Sequence, residues 1–216
     1  MSQVKLVWIT PDPDPNIAYI ARVSNPAGQD KPIGSLLNYM MKHGHVSPFE
    51  MASACLEINT TRDIGRQILR HRSFSFQEFS QRYQDVTLID EGNILRECRM
   101  QDTKNRQNSL PTNDELLIEC WQDAQDEVTK FVAARYEWAL KVGIAKEQAR
   151  ALLPEGLTPT RMYMSGTFRS WLHYLQSRLD PSTQSEHRVI AQQVLTILRA
   201  KAPEVIGAFF PEGNTE

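Results

Sequence analysis

Three cysteines in 216 residues, widely separated and with no C-x-x-C pair, are too few and too scattered for a disulfide framework or a zinc site. That scarcity suits a reducing compartment, and a cytoplasmic protein is expected. No apolar run approaches the ~18 residues of a membrane span. The opening MSQVKLVWITPDPDP holds too short an apolar stretch for a signal peptide, so a soluble protein is expected. Excess positive charge is missing as well. A formal net charge of −2 argues against a broad electrostatic grip on DNA or RNA, whose binding domains are usually basic. Neither GxGxxG, a P-loop, GxSxG nor HExxH occurs, which removes several common catalytic readings. With no internal repeat or low-complexity linker to divide the chain, residues 1–216 are expected to form a single domain.

What is present is ordinary globular material, 41% hydrophobic and 23% charged. Val4 to Thr10 reads as a strand, and Asp14-Pro15 as the cap and first turn of a helix running to Arg22. A helix from Pro32 to His43 stops at Gly44, and Ala52 to Asn59 alternates as a strand. Thr61 can cap a helix from Arg62 that would carry Arg62, Arg66 and Arg70 on one face. Gln84 to Pro111 lacks periodicity and reads as loop, with Ile94 and Leu95 as anchors. From Asn113 to Val142, Leu116, Trp121, Val128, Phe131, Tyr136 and Ala139 recur at helical spacing. Such a helix would be about 45 Å long, so it must cross the body or line a subunit contact. Lys146 to Leu153 extends a further helix, Thr158 to Met164 a strand, Phe168 to Leu179 a helix capped by Thr167, and Ser182 to Ala200 a last helix. Helices and strands interleave without a βαβ rhythm, so the fold class expected is α+β.

His43-x-His45 has no third clustered ligand, so no metal site is expected. Cys55 falls inside a strand and Cys120 on the apolar stripe of the long helix, where packing is the expected role. Positive charge, by contrast, is concentrated: Arg62, Arg66, Arg70, Arg72 and Arg82 in one group, Arg161, Arg169 and Arg178 in another. Between Arg70 and Tyr83 the run RHRSFSFQEFSQRY crowds three arginines, a histidine, three serines, Gln77 and Glu78 together. Guanidinium forks bind phosphate bidentately, and Ser75 and Ser80 offer short donors to the same oxygens. A phosphate ester is the natural partner. Chemistry alone leaves Glu78 open between a counter-ion and an acceptor for a sugar hydroxyl or ring N–H. Ser80 has no evident general base beside it, so binding suits it better than nucleophilic attack. A second reading is a nucleotide- or RNA-binding regulatory module, with Arg70, Arg72 and Arg82 on phosphates and Phe74, Phe76 and Phe79 stacked on bases.

RHRSFSFQEFSQRY closely resembles the RHRxxSxNxxSxRY motif of the flavin-dependent thymidylate synthases, with Gln77 where asparagine is common. The resemblance continues through HGHVSPFE (His43 to Glu50), Arg66-Gln67, AR-x-x-LP around Arg150, and FRSWLHYLQSR ending at Arg178. It implies a mixed sheet flanked by helices and a homotetramer that methylates dUMP to dTMP. The carbon donor would be 5,10-methylenetetrahydrofolate, and NADPH or NADH would reduce bound FAD. No cysteine nucleophile, nucleic acid or membrane is implied. For FAD the resemblance implies Ser47, Arg70, His71, Arg72, Glu78, Thr167, Arg169 and His173, although the family often has asparagine where Thr167 and His173 stand. For dUMP it implies Gln67, Ile68, Leu69 and Arg70, then Glu78, Phe79, Ser80, Gln81 and Arg82 from a neighbouring subunit, with Arg150 and Arg178. Arg178 would be catalytic, stabilising the uracil ring deprotonated at N3.

Overall fold

Strand-forming alternation in residues 53–61 and 159–167 produces the centre of the molecule. The computed structural model describes residues 2–86, 89 and 94–211. Strands β1 (Gln3–Ile9), β2 (Ser53–Thr61), β3 (Ser75–Glu78) and β6 (Pro159–Thr167) form one sheet in the order β1-β2-β6-β3. Every pairing in it is antiparallel, from Val4↔Ile58 through Leu56↔Met164 to Phe76↔Met164. The expected α+β class holds, while the mixed sheet is corrected to an antiparallel one. Each of its three ladders runs antiparallel, and none is a parallel pairing of the kind a helical crossover connects.

One face of the sheet is covered. Val4, Ala54, Leu56, Ile58, Met162 and Met164 point into a core shared with Phe168, Trp171 and Leu175 of α6 (Phe168–Arg178) and Ile190, Val194 and Leu198 of α7 (Ser185–Lys201). Against these pack α1 (Pro13–Ala21), α2 (Ile33–Lys42) and a short α8 (Pro203–Phe209) that lies beyond the last helix expected, which ended at Ala200. Pro203 makes the break, because it has no N–H to continue the helix. The opposite face carries a polar ladder instead. Tyr163 Oη donates to Glu57 Oε2 (2.9 Å) and Arg161 Nε to Asn59 Oδ1 (2.9 Å), beside half-exposed Val7 and Trp8.

Asp14 does not cap its own helix. It lies inside α1, buried, and its carboxylate accepts the backbone N–H groups of Glu204 (2.8 Å) and Val205 (3.2 Å) at the start of α8. Val4 is stitched to the same region, its N–H donating to Gln193 Oε1 (2.9 Å) while Gln193 Nε2 donates to the Ser2 carbonyl (3.0 Å).

The long helix α4 (Glu115–Lys141) is capped by Asp114, whose side chain accepts the Leu117 N–H at 3.1 Å. It does not cross the body. Leu116, Trp121, Val128, Phe131 and Trp138 are exposed, and only Gln125, Tyr136 and Ala139 are buried. Cys120 is likewise exposed rather than packed, while Cys55 is buried as expected. Part of the Gln84–Pro111 stretch lies outside the described residues. Within the rest, Ile94 is buried and Leu95 exposed, and β4 (Arg99–Gln101) pairs with β5 (Ser109–Pro111) as a small ribbon. Arg96 anchors this region: its guanidinium reaches Asp63 (2.6 Å), Thr61, Glu186 (3.5 Å) and the Gly156 carbonyl (3.2 Å).

Candidate functional site

The arginine-rich run begins where α3 (Arg62–Ile68) ends, one turn earlier than the spacing suggests. Arg62 and Arg66 share the helix, but Arg70 sits in a tight turn, with Arg70 N–H donating to the Gln67 carbonyl (3.3 Å) and His71 N–H to that of Ile68 (3.0 Å). The turn is held down by Phe74, whose ring lies where a Cβ on Gly166 would be, 2.5 Å from Phe74 Cδ1. Ser170 Oγ adds a hydrogen bond to the Ser73 carbonyl at 3.0 Å. Phe74 is thus a core residue, and it has no free face on which a base could stack.

Beside this turn opens a cleft of about 790 Å³ lined by Val46, Glu50, Arg70, His71, Arg72, Ser73, Thr167, Arg169, Ser170, Leu172, His173, Gln176 and Phe209. Six of the eight residues expected at the flavin lie on it. Ser47 is exposed in the adjoining 3-10 turn (Ser47–Glu50), whose Val46 and Glu50 do line the cleft. Glu78 is elsewhere. Thr167 spends its hydroxyl on capping α6, accepting the Ser170 N–H at 3.3 Å. Arg169 pairs with Glu50, whereas Arg70 and Arg72 make no ion pair among the described residues. Two guanidiniums without an ion pair among the described residues share one cleft with Leu172 and Phe209, a lining that fits a ligand with both a diphosphate and a flat aromatic ring.

Arg178, at the end of α6, is half-buried and donates from Nε to His71 Nε2 at 2.9 Å. An imidazole accepts such a bond only when neutral. Burial, reinforced by the Arg178 and His173 charges, holds His71 down to about 4, so it accepts throughout the neutral range. Using Nε for His71 leaves the Nη1/Nη2 edge of Arg178 as the fork for a planar partner. The His71 ring stands edge-on to Tyr174, 5.0 Å between centroids, and 6.4 Å from His187. Tyr174 and His187 are both fully buried. Burial pushes the Tyr174 phenol above its ordinary range and holds His187 down to about 3.

The remaining expected residues are dispersed. Ile68 points into the core and Leu69 is half-buried, so neither lines a cleft. Gln67 contacts α7 rather than solvent alone, through Gln184 and His187. Glu78, Phe79 and Ser80 line a separate hollow of about 410 Å³ with Gln77, Tyr83, Arg161 and Tyr163. Glu78 itself accepts from Thr160 Oγ1 (2.8 Å) and Arg62 Nη1 (3.3 Å), so within one chain it is a counter-ion. Gln81 and Arg150 line a third hollow of about 340 Å³ with Arg62, Arg66 and Glu147. Gln81 Nε2 is buried there without a partner among the described residues. Arg82 pairs with Glu147 at 3.2 Å. One chain therefore assembles the flavin-type cleft and the Arg178–His71 pair, and leaves the Glu78–Arg82 and Arg150 groups on other surfaces.

The family model described as thymidylate synthase complementing protein matches residues 5–204. The flavin-dependent thymidylate synthase of Synechocystis sp. is 48% identical over 196 residues, covering 91% of this chain and 89% of that protein. The chain belongs to the flavin-dependent thymidylate synthases. A probable flavin-dependent thymidylate synthase of Paramecium bursaria Chlorella virus 1 is 46% identical, covering 89% and 88%. The fold matches the crystal structure of PolB of Streptomyces cacaoi, a UMP/dUMP methylase bound with 5-Br dUMP, with a TM-score of 0.81, 24% identity and coverage of 97% and 94%. The RHRxxSxNxxSxRY motif of the synthases thus occupies the α3–β3 turn, strand β3 and the turn that follows it, residues 70–83. His187 and Gln184 escaped the motif reading. His187 was visible as a histidine on the apolar stripe of Ile190, Ala191, Val194 and Leu198, a pattern that marks a buried polar group needing a partner.

Proposed function

We propose that this flavin-dependent thymidylate synthase methylates dUMP to dTMP with bound FAD, NADPH or NADH as reductant and 5,10-methylenetetrahydrofolate as carbon donor. The observation that carries the reading is the α3–β3 turn, which puts Arg70, His71 and Arg72 on one cleft with Thr167, Arg169 and His173 and ties His71 to Arg178. Arg70, Arg72 and Arg169 hold the dinucleotide's phosphates, and the flavin, when bound, supplies the reducing hydride. Ser47 lies at the rim of this cleft. Gln67, Arg70, Arg150 and Arg178 bind dUMP, with Ile68 and Leu69 contributing through the backbone. Glu78, Phe79, Ser80, Gln81 and Arg82 act on the site of a neighbouring subunit, and Glu78 also meets the flavin there.

Arg178 directs its fork at the uracil ring and stabilises the charge left when N3 loses its proton. A cation about 4 Å from that charge is worth at most roughly 4 kcal/mol at an effective ε near 20, about three pKa units. The bare apolar stripe of α4 and the dispersed site residues support a homotetramer with shared sites. No helix among the described residues is long and apolar enough to cross a membrane, and a cytoplasmic single-domain enzyme without nucleic-acid partners completes the proposal.

The test is to purify the protein, titrate it with FAD and dUMP, and assay NAD(P)H oxidation together with dTMP. Flavin absorbance that shifts on adding dUMP, and dTMP formed only with the folate, are expected. A folded protein that binds neither ligand would refute the proposal. Salt-dependent RNA affinity without flavin uptake would favour the regulatory module instead.

A further inference from the structure

Gln67 is hydrogen-bonded at both ends of its side-chain amide. Its Nε2 donates to Gln184 Oε1 at 2.7 Å, and its Oε1 lies 3.2 Å from His187 Nδ1. Gln184 in turn donates from Nε2 to Glu186 Oε2 at 2.9 Å. A carboxylate only accepts, and Glu186 pairs with Arg96 3.5 Å away. The direction of every bond follows from that end. Gln184 must turn its NH₂ to Glu186, so its oxygen accepts the Gln67 NH₂. The Gln67 oxygen then needs a donor, and His187 must carry its proton on Nδ1.

His187 is fully buried, and its other nitrogen, Nε2, has no partner among the described residues. Burial, with Arg178 and His71 nearby, keeps the ring neutral, so it holds one N–H only. A histidine retained for packing would be a poor choice here, because a leucine would fill the space without a buried, unsatisfied nitrogen.

We infer that His187 is a positioning residue of the nucleotide site, which with Gln184 and Glu186 fixes the orientation of the Gln67 amide so that its second N–H faces an acceptor oxygen of dUMP. This rests on the proposed role of Gln67 in binding dUMP. Without the His187 donor the Gln67 oxygen has no interior partner, and the amide can turn its carbonyl towards the substrate oxygen, where it repels.

The experiment compares the wild-type holoenzyme with His187→Leu and His187→Asn. Asparagine puts an N–H near the position of the imidazole Nδ1, while leucine fills the volume and donates nothing. Expected for His187→Leu are a melting temperature no lower than wild type, unchanged flavin uptake, a KM and Kd for dUMP about tenfold higher, and a kcat near wild type at saturating dUMP. His187→Asn should restore most of the dUMP affinity. Equal dUMP affinity in wild type and His187→Leu would overturn the inference, as would His187→Asn binding no better than His187→Leu. A wild-type protein that takes up flavin but no dUMP would overturn the functional proposal, and this inference with it.

Discussion

At the scale of single residues, the short bond between Arg178 and His71 has the sharpest consequences. Removing the guanidinium in Arg178→Ala should lower kcat by up to about a thousandfold, the rate equivalent of roughly 4 kcal/mol. Flavin absorbance should stay, since the cleft keeps Arg70, Arg72 and Arg169. Arg178→Lys should recover little, because an ammonium cannot hold His71 through one nitrogen and present a fork through two others. Turnover assays beside flavin spectra check both variants. The histidines add a pH dependence of stability. Folded His71 and His187 titrate near 4 and near 3, against about 6.5 in the unfolded chain. Between pH 6.5 and 4 the unfolded chain takes up protons that the folded one refuses. Stability is therefore fully present above 6.5 and falls with pH, by at most about 1.4 kcal/mol per pH unit for each histidine. Urea midpoints between pH 5 and 7 should show this slope, and it should be shallower in His187→Asn. Much of this chemistry was legible beforehand, since Arg70 to Arg72 and Arg178 stand out as clustered cations. The partner of Gln67 was not, because a hydrogen bond across 120 residues leaves no spacing in the sequence.

Among the elements, strand β3 and its preceding turn are fixed by one close approach. With Phe74 pressed on Gly166, Gly166→Ala forces the ring to move, at a cost of about 1–3 kcal/mol, and should loosen the His71–Ser73 turn with it. Thermal melts and weaker flavin binding in that variant would register both effects; a melt and flavin affinity equal to wild type would show that the turn is held by other contacts. The strands and helices were largely readable from period and punctuation, Gly44 and Gly143 ending their helices at positive φ. Two features were not. Arg70 fell off the α3 face because the helix stops at Ile68, where Ile64 and Ile68 have already reached the core and the chain must turn to place β3 against β6. Asp14 looked like a local cap and serves α8 instead, a choice made by tertiary packing rather than by its own neighbours.

For the whole molecule, the question is how dispersed clefts become one site. If Glu78 to Arg82 of one subunit complete the Arg178 site of another, two inactive variants can repair each other. Mixing Arg178→Ala with Arg82→Ala subunits after reversible dissociation should restore activity, with about a quarter of the sites carrying both native residues under random assortment. Each variant alone should stay inactive under the same treatment. No recovery in verified hybrids would place both arginines in the site of the same chain. The ties from Val4 to Gln193 and from Asp14 to residues 204 and 205 carry a different lesson, about time. On the ribosome, β1 and α1 emerge long before the groups in α7 and α8 that hold them. Their pairing closes a loop of 190 residues, the kind of distant contact that slows folding. The earlier strand must stay unaggregated until α7 and α8 arrive to close this contact.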